Sequence, residues 1–407
     1  MSEWKKVRLK DCCIKIGSGS TPKGGSMVYV NSGTSLIRSQ NVYNLSFDYN
    51  GLTHITEDAA NKLKGVTVFN EDILLNITGD SVARTCIVPK EVLPARVNQH
   101  VAIIRTDRRK MNWRFLNYYL ASPKMQAHML SLAVGKGASR NAMTKQMIEN
   151  FEVPYPPLST QHRIASILSR YDSLIENYQK QIKLLEEAAQ RLYKEWFVDL
   201  HFPGHENTNI IDGVPEGWEK KKVNSIIELQ SGFAFKSSTF DDNGAYKIVT
   251  IKNVKDGAFD GDNVSKIVVI PDKMPKHCIL ADGDILLSLT GNVGRVCIVN
   301  GKSYLLNQRV AKLATGFKAF TYCLFRSRDM FIEVNNLANG AAQQNVSPIR
   351  IGEMKILLPN SELLQEFESI VFKSIARIIS LQSQLHLLTE ARDRLLPKLM
   401  GGEIVLS

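Results

Sequence analysis

Three loops in each half of the chain combine glycine with polar side chains that can form paired hydrogen bonds. The first half carries Thr78, Gly79, Arg84, Asn98, Gln99, His100, Ser139, Arg140 and Asn141. The second half carries Thr290, Gly291, Asn292, Arg295, Asn307, Gln308, Arg309, Gln343, Gln344 and Asn345. Arginine, asparagine and glutamine can form two hydrogen bonds at once with the edge of guanine or adenine. Contacts with DNA bases are therefore one interpretation of these loops, and ordinary turn chemistry is the other.

Both sets belong to a duplication that covers most of the chain. Residues 72–78 read DILLNIT and residues 284–290 read DILLSLT, an offset of about 212 residues. A repeat of this length predicts two similar domains rather than the short units of a solenoid. The copies differ where His100 is replaced by Arg309. They differ again where Arg140-Asn141 is replaced by Gln343-Gln344, so we expect two different targets.

Sequence motifs for catalysis are absent from the chain. Residues 17–25 are rich in glycine but lack the Gly-Lys-Ser/Thr ending of a P-loop, and no turn resembles an S-adenosylmethionine site. The six cysteines form no CxxC pair, so neither a zinc site nor a disulfide framework is expected. Cys86 and Cys297 lie at equivalent places in apolar runs, which predicts small core residues. We expect no catalytic residue, no metal and no cofactor.

Basic charge is concentrated in the duplicated parts of the chain. The 407 residues carry a net charge of +11, of which residues 1–157 contribute +9 and residues 200–360 contribute +3. Residues 158–199 are balanced, and residues 361–407 carry −1. This distribution favours a polyanionic partner for the duplicated parts, with a generally basic protein as the alternative. Because no long apolar run and no signal peptide are present, we expect a soluble, cytoplasmic protein with no membrane partner.

A heptad pattern follows each copy. The first seam is Ile164, Leu168, Tyr171, Ile175, Tyr178, Ile182, Leu185, Ala189, Leu192 and Trp196. The second seam is Phe367, Val371, Ser374, Ile378, Leu381, Leu385, Leu388, Arg392, Leu395 and Leu399. These patterns predict two long helices that pair as an antiparallel coiled coil, and the alternative is that each helix packs only on its own domain. A seam of about 33 residues would span roughly 50 Å at about 1.5 Å per residue.

Short apolar runs bounded by glycine, asparagine, aspartate and proline indicate β-strands within each copy. Helical patterns follow near residues 113–120 and 124–132. The sequence therefore predicts an α/β fold with two similar domains, each with a mainly β core, separated by the two long helices. The predicted boundaries are residues 1–157 for the first domain, 158–199 for the first helix, 200–217 for a linker, 218–360 for the second domain, 361–400 for the second helix and 401–407 for the tail.

Several further segments form an ordered set with the duplicated motifs. They are residues 4–19, DILLNITG and DILLSLTG, Asn98-Gln99 and Asn307-Gln308, residues 153–168 (VPYPPLSTQHRIASIL), residues 195–205 (EWFVDLHFPGH) and residues 214–218 (VPEGW). This set resembles the specificity subunit of type I restriction–modification systems. The second helix departs from the family pattern, because residues 358–362 read LPNSE in place of a Pro-Pro-Leu start and Arg392 interrupts the seam.

The resemblance implies a subunit without catalytic activity. It implies two target-recognition domains, each binding one half of a bipartite, asymmetric site in double-stranded DNA. It also implies that the helices set the spacing and dock two methyltransferase subunits, with restriction subunits joining the larger complex.

Two other classes of protein fit part of the pattern. A stand-alone bipartite DNA-binding protein without enzyme partners would use the same domains and helices. A pure coiled-coil scaffold is disfavoured, because it would leave two basic domains without a purpose. Copurification with a larger methyltransferase would distinguish the specificity subunit from both.

Overall fold

The chain divides into two compact units: Met1–Leu174 with Leu388–Ser407 form unit 1, and Ile175–Leu387 form unit 2. The structure is a computed structural model, and it describes residues 4–134, 141–262, 264–338 and 344–404. Among these residues, no helix combines the length and the apolar character that crossing a membrane requires.

Unit 1 consists of short strands and helices that lead into one long helix. Its strands are β1 (Lys6–Arg8), β2 (Cys13–Ser18), β3 (Tyr29–Val30), β4 (Thr34–Ile37), β5 (Val42–Tyr43), β6 (Ser46–Phe47), β7 (Thr53–Ile55), β8 (Thr67–Val68), β9 (Ile73–Asn76), β10 (Thr85–Ile87), β11 (Ala95–Val97), β12 (Val101–Thr106) and β13 (Glu152–Pro154). Its helices are α1 (Leu9–Cys12), α2 (Glu57–Lys62), α3 (Trp113–Ala121), α4 (Pro123–Ala133), α5 (Lys145–Glu149) and the start of α6 (Leu158–Phe197).

Two sheets form the centre of unit 1. The first has the order β10-β9-β12-β2 with antiparallel neighbours. The second has the order β3-β7-β4-β11-β8, and in it β11 runs parallel to β4. Every residue of β9 is buried, because this strand has neighbours on both sides and apolar clusters on both faces. This is why its first three residues are all apolar rather than alternating with polar ones.

Unit 2 contains the second set of elements. Its strands are β14 (Ile210–Ile211), β15 (Val214–Pro215), β16 (Glu219–Lys222), β17 (Ile227–Ser231), β18 (Tyr246–Val249), β19 (Ser265–Ile267), β20 (Ile279–Leu280), β21 (Ile285–Ser288), β22 (Val296–Ile298), β23 (Tyr304–Leu306), β24 (Val310–Thr315) and β25 (Lys355–Leu358). Its helices are α7 (Lys318–Arg326), α8 (Arg328–Ala338), α9 (Pro348–Gly352) and most of α10 (Ser361–Met400).

The strand order of unit 2 repeats that of unit 1. The sheet β22-β21-β24-β17 corresponds to β10-β9-β12-β2, and the parallel pair β18 and β23 corresponds to β4 and β11. The pair β16 and β25 corresponds to β1 and β13. The prediction of two similar α/β domains with a mainly β core is therefore confirmed.

Cys86 and Cys297 occupy equivalent strands in the two units, as predicted. They lie in β10 and β22 and are 1% and 0% exposed. Burial raises the pKa of Cys86 to about 12 and also raises the pKa of Cys297. Both thiols therefore stay protonated and serve as small apolar core groups.

Helices α6 and α10 carry the two heptad seams, and each has 40 residues. Every seam residue is buried or half-buried. In unit 1, Leu168 from the early part of α6 and Leu399 from the end of α10 belong to one core. In unit 2, Trp196 near the end of α6 packs on Phe367 near the start of α10, with ring centroids 5.7 Å apart. The predicted antiparallel pairing of the helices is therefore confirmed.

Arg392, which interrupts the apolar seam, has a charged partner on the facing helix. Its Nη1 lies 3.0 Å from Oδ1 of Asp172, and the two side chains are only 15% and 21% exposed. Tyr118 of α3 donates its hydroxyl to the same carboxylate. Burial, together with the charge of Asp172, raises the pKa of Tyr118, so the phenol remains a donor. The interruption is thus a paired polar group that favours one register of the two helices.

We expect Asp172→Ala to destabilise unit 1 by about 1–3 kcal/mol, because the Tyr118 hydroxyl would lose its acceptor in a poorly hydrated place and Arg392 would keep only its pair with Asp393. The measurement is the urea midpoint of the unit 1 transition. The control is the triple variant Tyr118→Phe, Asp172→Leu and Arg392→Leu, which replaces the polar group by apolar packing and should unfold within about 1 kcal/mol of the parent. Equal destabilisation of Asp172→Ala and the triple variant would mean that Asp172 stabilises unit 1 through helix packing and not through its polar partners.

Candidate nucleic-acid interface

A pocket of about 550 Å³ opens in unit 1 where the predicted polar loops meet. It is lined by Ser39, Gln40, Tyr43, Thr78, Gly79, Asp80, Ser81, Arg84, His100, Asn141 and Ala142. Five of these residues were predicted from the sequence: Thr78, Gly79, Arg84, His100 and Asn141. The fold therefore brings side chains from three separate loops, one of each predicted set, into one place.

Gly79 shapes the first of these loops. It follows buried strand β9 and has a φ of 73°, a left-handed conformation that favours glycine. Its N–H donates to the carbonyl of Asn141 at 2.9 Å, and Thr78 pairs with Ala142 in an isolated bridge. The loop after β9 and the chain entering α5 are thereby tied together, which holds the Asn141 side chain at the pocket.

A chain of hydrogen bonds orients the side chains beside the pocket. The Thr21 hydroxyl donates to Oε1 of Gln99, which leaves the Gln99 Nε2 to donate to His100 Nε2 at 3.2 Å. The ring proton of His100 is then on Nδ1, which lies 2.6 Å from Oγ1 of Thr78. With Oγ1 accepting this bond, the threonine hydroxyl proton has no acceptor among the described residues and can bond a ligand.

Asn98 and Asn307 differ from the other predicted residues because their side chains bond the backbone of their own turns. The Oδ1 of Asn98 accepts from the backbone N–H of His100 at 3.1 Å, and the Oδ1 of Asn307 accepts from Arg309 at 3.2 Å. Asn98 is only 8% exposed. Both asparagines hold the turn between the last strands of their sheets, and the residues that follow them project outward.

Unit 2 repeats the loop geometry with different side chains. Gly291 has the same φ of 73°, and its N–H donates to the carbonyl of Gln344 at 2.9 Å. Thr290 Oγ1 donates to Oδ1 of Asn345 at 2.9 Å. The exposed polar residues around this loop are Asn292, Gln308, Arg309, Gln344 and Asn345, with Arg295 half-buried. The two units thus share a backbone arrangement that presents different donors and acceptors.

Three predicted residues, Ser139, Arg140 and Gln343, lie outside the described residues. Within the described ranges, no group of three or more His, Cys, Asp or Glu side chains is placed to hold a metal ion.

The hairpin β5–β6 contributes to the pocket and was missed from the sequence. Its buried Asn41 accepts from the Arg38 N–H at 3.0 Å and donates to the Asp48 carbonyl at 2.9 Å. Asn253 makes the equivalent bonds to Thr250 and Asp260 in unit 2. The sequence carries a signal for this hairpin, because NVYNLSFD at residues 41–48 and NVKDGAFD at residues 253–260 share their first two and last two residues.

Arg84 reaches the pocket from the strand side and lies over the ring of Tyr43, with its guanidinium carbon 4.5 Å from the ring centroid. The backbone of Arg84 is fixed on both sides, since its N–H donates to Ser81 and its carbonyl accepts from Asn76. The corresponding Arg295 of unit 2 follows a left-handed Gly294 as Arg84 follows a left-handed Ala83.

Comparison with known proteins places the chain beside bacterial and archaeal DNA-specificity proteins. A family model described as type I restriction modification DNA specificity domain matches residues 1–187 and 215–387. The MjaIX specificity subunit of a type I restriction enzyme from Methanocaldococcus jannaschii is 27% identical, over 99% of this chain and 94% of its own length. The MjaVIII specificity subunit from the same organism is 28% identical, over 84% of this chain and 81% of its own length.

One solved structure supports the fold assignment. The crystal structure of the type I restriction–modification S subunit from M. genitalium matches with a TM-score of 0.62 at 16% identity. The match covers 97% of this chain and 96% of that chain, so the likeness extends through both duplicated domains and both long helices.

Proposed function

The chain belongs to the family of type I restriction–modification specificity subunits and contains two copies of its domain, and from this premise we propose how it reads DNA. Each domain, residues 1–157 and residues 218–360, binds one half of a bipartite, asymmetric site in double-stranded DNA. The long helices set the spacing of the halves and dock two methyltransferase subunits. Restriction subunits join through that complex, and the chain itself carries no catalytic group.

The repeated loop is the observation that carries this proposal. Gly79 and Gly291 share one left-handed conformation, and each is bonded to the chain that enters the last short helix of its unit. A common backbone frame with different exposed side chains is the arrangement expected of two readers with different targets. Asn141 on one frame and Gln344 with Asn345 on the other supply the amides that suit adenine edges.

The roles of the other predicted residues follow from their surroundings. Thr78, Arg84 and His100 in unit 1, with Arg295, Gln308 and Arg309 in unit 2, are proposed to contact DNA. Asn98 and Asn307 are proposed to hold the turns that place those side chains. The excess of basic residues in both domains supports attraction to the phosphate backbone.

The outward face of α6 supplies a surface for a protein partner. Lys180, Lys183, Glu187 and Arg191 carry charges of both signs along it and are exposed. Glu186, which precedes Glu187, is half-buried and accepts the Tyr322 hydroxyl at 2.7 Å. Burial raises the pKa of Glu186 against the lowering effect of this hydrogen bond. The proposed partner surface is therefore a strip of exposed residues of mixed charge that does not include Glu186, because Glu186 bonds Tyr322 within unit 2.

The proposed function is tested by mapping adenine methylation in cells with and without the gene for this chain. We expect one bipartite motif to lose its methylation completely when the chain is removed, because the methyltransferase would have no site-reading subunit. The purified chain, incubated with DNA and S-adenosylmethionine, should neither methylate nor cut. It should do both only when the other subunits are added.

A stand-alone DNA-binding protein gives the opposite pattern in the same experiment. Methylation would be unchanged on deletion, and affinity purification of the chain would recover DNA without a methyltransferase. Methyl transfer by the rigorously purified chain would contradict the proposal that the chain carries no catalytic group.

A further inference from the structure

We propose that Tyr43 is a positioning residue that holds Arg84 ready to read a guanine in the half-site bound by unit 1. The inference rests on the proposed function and goes further, since it names the base and a second residue. It comes from the hairpin β5–β6, which the predicted site does not include.

Arg84 lacks the anionic partner that three other half-buried arginines have. Arg105, Arg326 and Arg392 each pair with an aspartate. In the described part of the chain, the guanidinium of Arg84 has no hydrogen bond or ion pair, and its contact is the face of Tyr43. A guanidinium held over a ring by a cation–π contact keeps its N–H groups available for a ligand.

Tyr43 is a fixed platform because its hairpin is bonded to the strand that follows Arg84. The Leu45 N–H donates to the Thr85 carbonyl at 2.9 Å, and the Thr85 N–H donates to Oδ1 of Asn44 at 3.1 Å. Leu45 takes a φ of 59°, which lets the tight hairpin close. The ring and the guanidinium therefore lie on backbone segments joined by two hydrogen bonds, which keep the ring beneath the guanidinium.

The other groups of the pocket favour a base over a phosphate. Asp80 lines the same pocket as Arg84, and its carboxylate repels a phosphate. The same carboxylate can accept from the amino group of cytosine, while Arg84 donates to O6 and N7 of guanine. The Gln40 amide and the Thr78 hydroxyl add neutral hydrogen-bonding groups. A G·C pair satisfies the charges of this pocket, and a phosphate does not.

Unit 2 lacks this device. Lys255 stands at the position equivalent to Tyr43, and its Nζ lies 4.0 Å from Oδ2 of Asp260. Among the described residues no aromatic ring lies against the guanidinium of Arg295. The positioned arginine is therefore a property of unit 1, and Lys255→Ala provides a matched control at the equivalent position.

The test uses the chain assembled with its methyltransferase and compares Tyr43→Ala with Tyr43→Phe. Binding is measured on the native site and on a site in which the guanine of the unit 1 half is replaced by 7-deazaguanine, which lacks N7. We expect Tyr43→Ala to bind the native site about 10-fold more weakly than the parent. On the 7-deazaguanine site, Tyr43→Ala and the parent should bind alike. Tyr43→Phe should match the parent on both, because the ring remains.

The outcomes separate this inference from the proposed function. A unit 1 half-site without guanine overturns the assignment of Arg84 and Tyr43 and leaves the proposed function standing. An equal loss of affinity by Tyr43→Ala on both sites would indicate a phosphate contact and would also overturn the assignment. A loss of affinity by Tyr43→Phe as large as that by Tyr43→Ala would overturn it as well. Lys255→Ala should keep the guanine dependence of the parent. If the parent complex shows no sequence preference at all, both proposals fall.

Discussion

Exchange of residues 218–358 for the equivalent segment of another family member is expected to change one half of the recognised DNA site completely and to leave the other half intact. The reason is that unit 2 contains its own two sheets and its own polar loop. The residues proposed to read DNA are therefore all contained in the exchanged segment. The measurement is the methylated motif of the chimaeric complex, mapped across a genome that lacks the parent chain.

The exchange requires compatible packing on the helices. Phe197 of α6 lies against Trp218 and Phe320, with ring centroids 5.9 Å and 5.2 Å apart. The donor should therefore be aromatic at both positions. A second chimaera that keeps Lys318–Ala338 of the parent, and so α7 and α8, guards against loss of folding at this contact. The reciprocal exchange of residues 1–157 should change only the other half-site. Simultaneous change of both halves in either chimaera would mean that the domains do not read independently.

The parts of the fold that were predictable are those set by local periodicity. The heptad seams predicted both long helices because a 3.5-residue repeat is visible without any knowledge of tertiary contacts. The β character of residues 72–78 was equally clear. Strand order was not predictable. β9 pairs with β12 although β10 and β11 lie between them in the sequence, β4 runs parallel to β11, and no local pattern encodes such non-local pairing.

Arg392 shows why a seam interruption is ambiguous in a sequence. Its partner, Asp172, lies 220 positions away and off the apolar seam of its own helix, so the ion pair becomes visible only when the helices are paired. The same limit applies to the candidate site. Glycine, asparagine and arginine in a loop suggest hydrogen bonding, but whether an amide faces outward or holds a turn, as Asn98 does, depends on the backbone around it.

Tyr43 was missed for a different reason. The duplication drew attention to residues that are alike in both copies, and Tyr43 corresponds to Lys255. A residue that distinguishes two readers is expected to differ between them, so the positions inside a well-matched segment that do not match are the informative ones. Asn41-Val42 and Phe47-Asp48 are identical in the two copies, and residues 43–46 between them vary.

Removal of one heptad from both long helices is expected to shorten the spacing between the two half-sites by about three base pairs. Seven residues correspond to roughly 10 Å of helix, and base pairs are stacked about 3.4 Å apart. Residues 176–182 and residues 382–388 are the matched segments, because the antiparallel pairs Asp172 with Arg392 and Trp196 with Phe367 lie on either side of them. A whole heptad preserves the seam, since seven residues return the helix to nearly the same face.

The choice of segment matters for the interpretation. Deleting residues 183–189 from one helix would remove Glu186, which bonds Tyr322, and buried Ala189, so unit 2 itself would be disturbed. The matched deletion removes the hydrogen bond of Ser383 with Asn300 and the exposed contact of His386 with Asp262. The double variant Ser383→Ala and His386→Ala at full length is therefore the control, and it should retain the parent spacing.

The measurement is again the methylated motif, read for the number of unspecified base pairs between its two halves. The half-sites themselves should be unchanged, because the deletion touches neither polar loop. A deletion variant that folds, assembles and still methylates the parent motif at the parent spacing would show that the helices do not set the distance. The spacing would then have to come from the methyltransferase subunits, and the helices would serve to dock them.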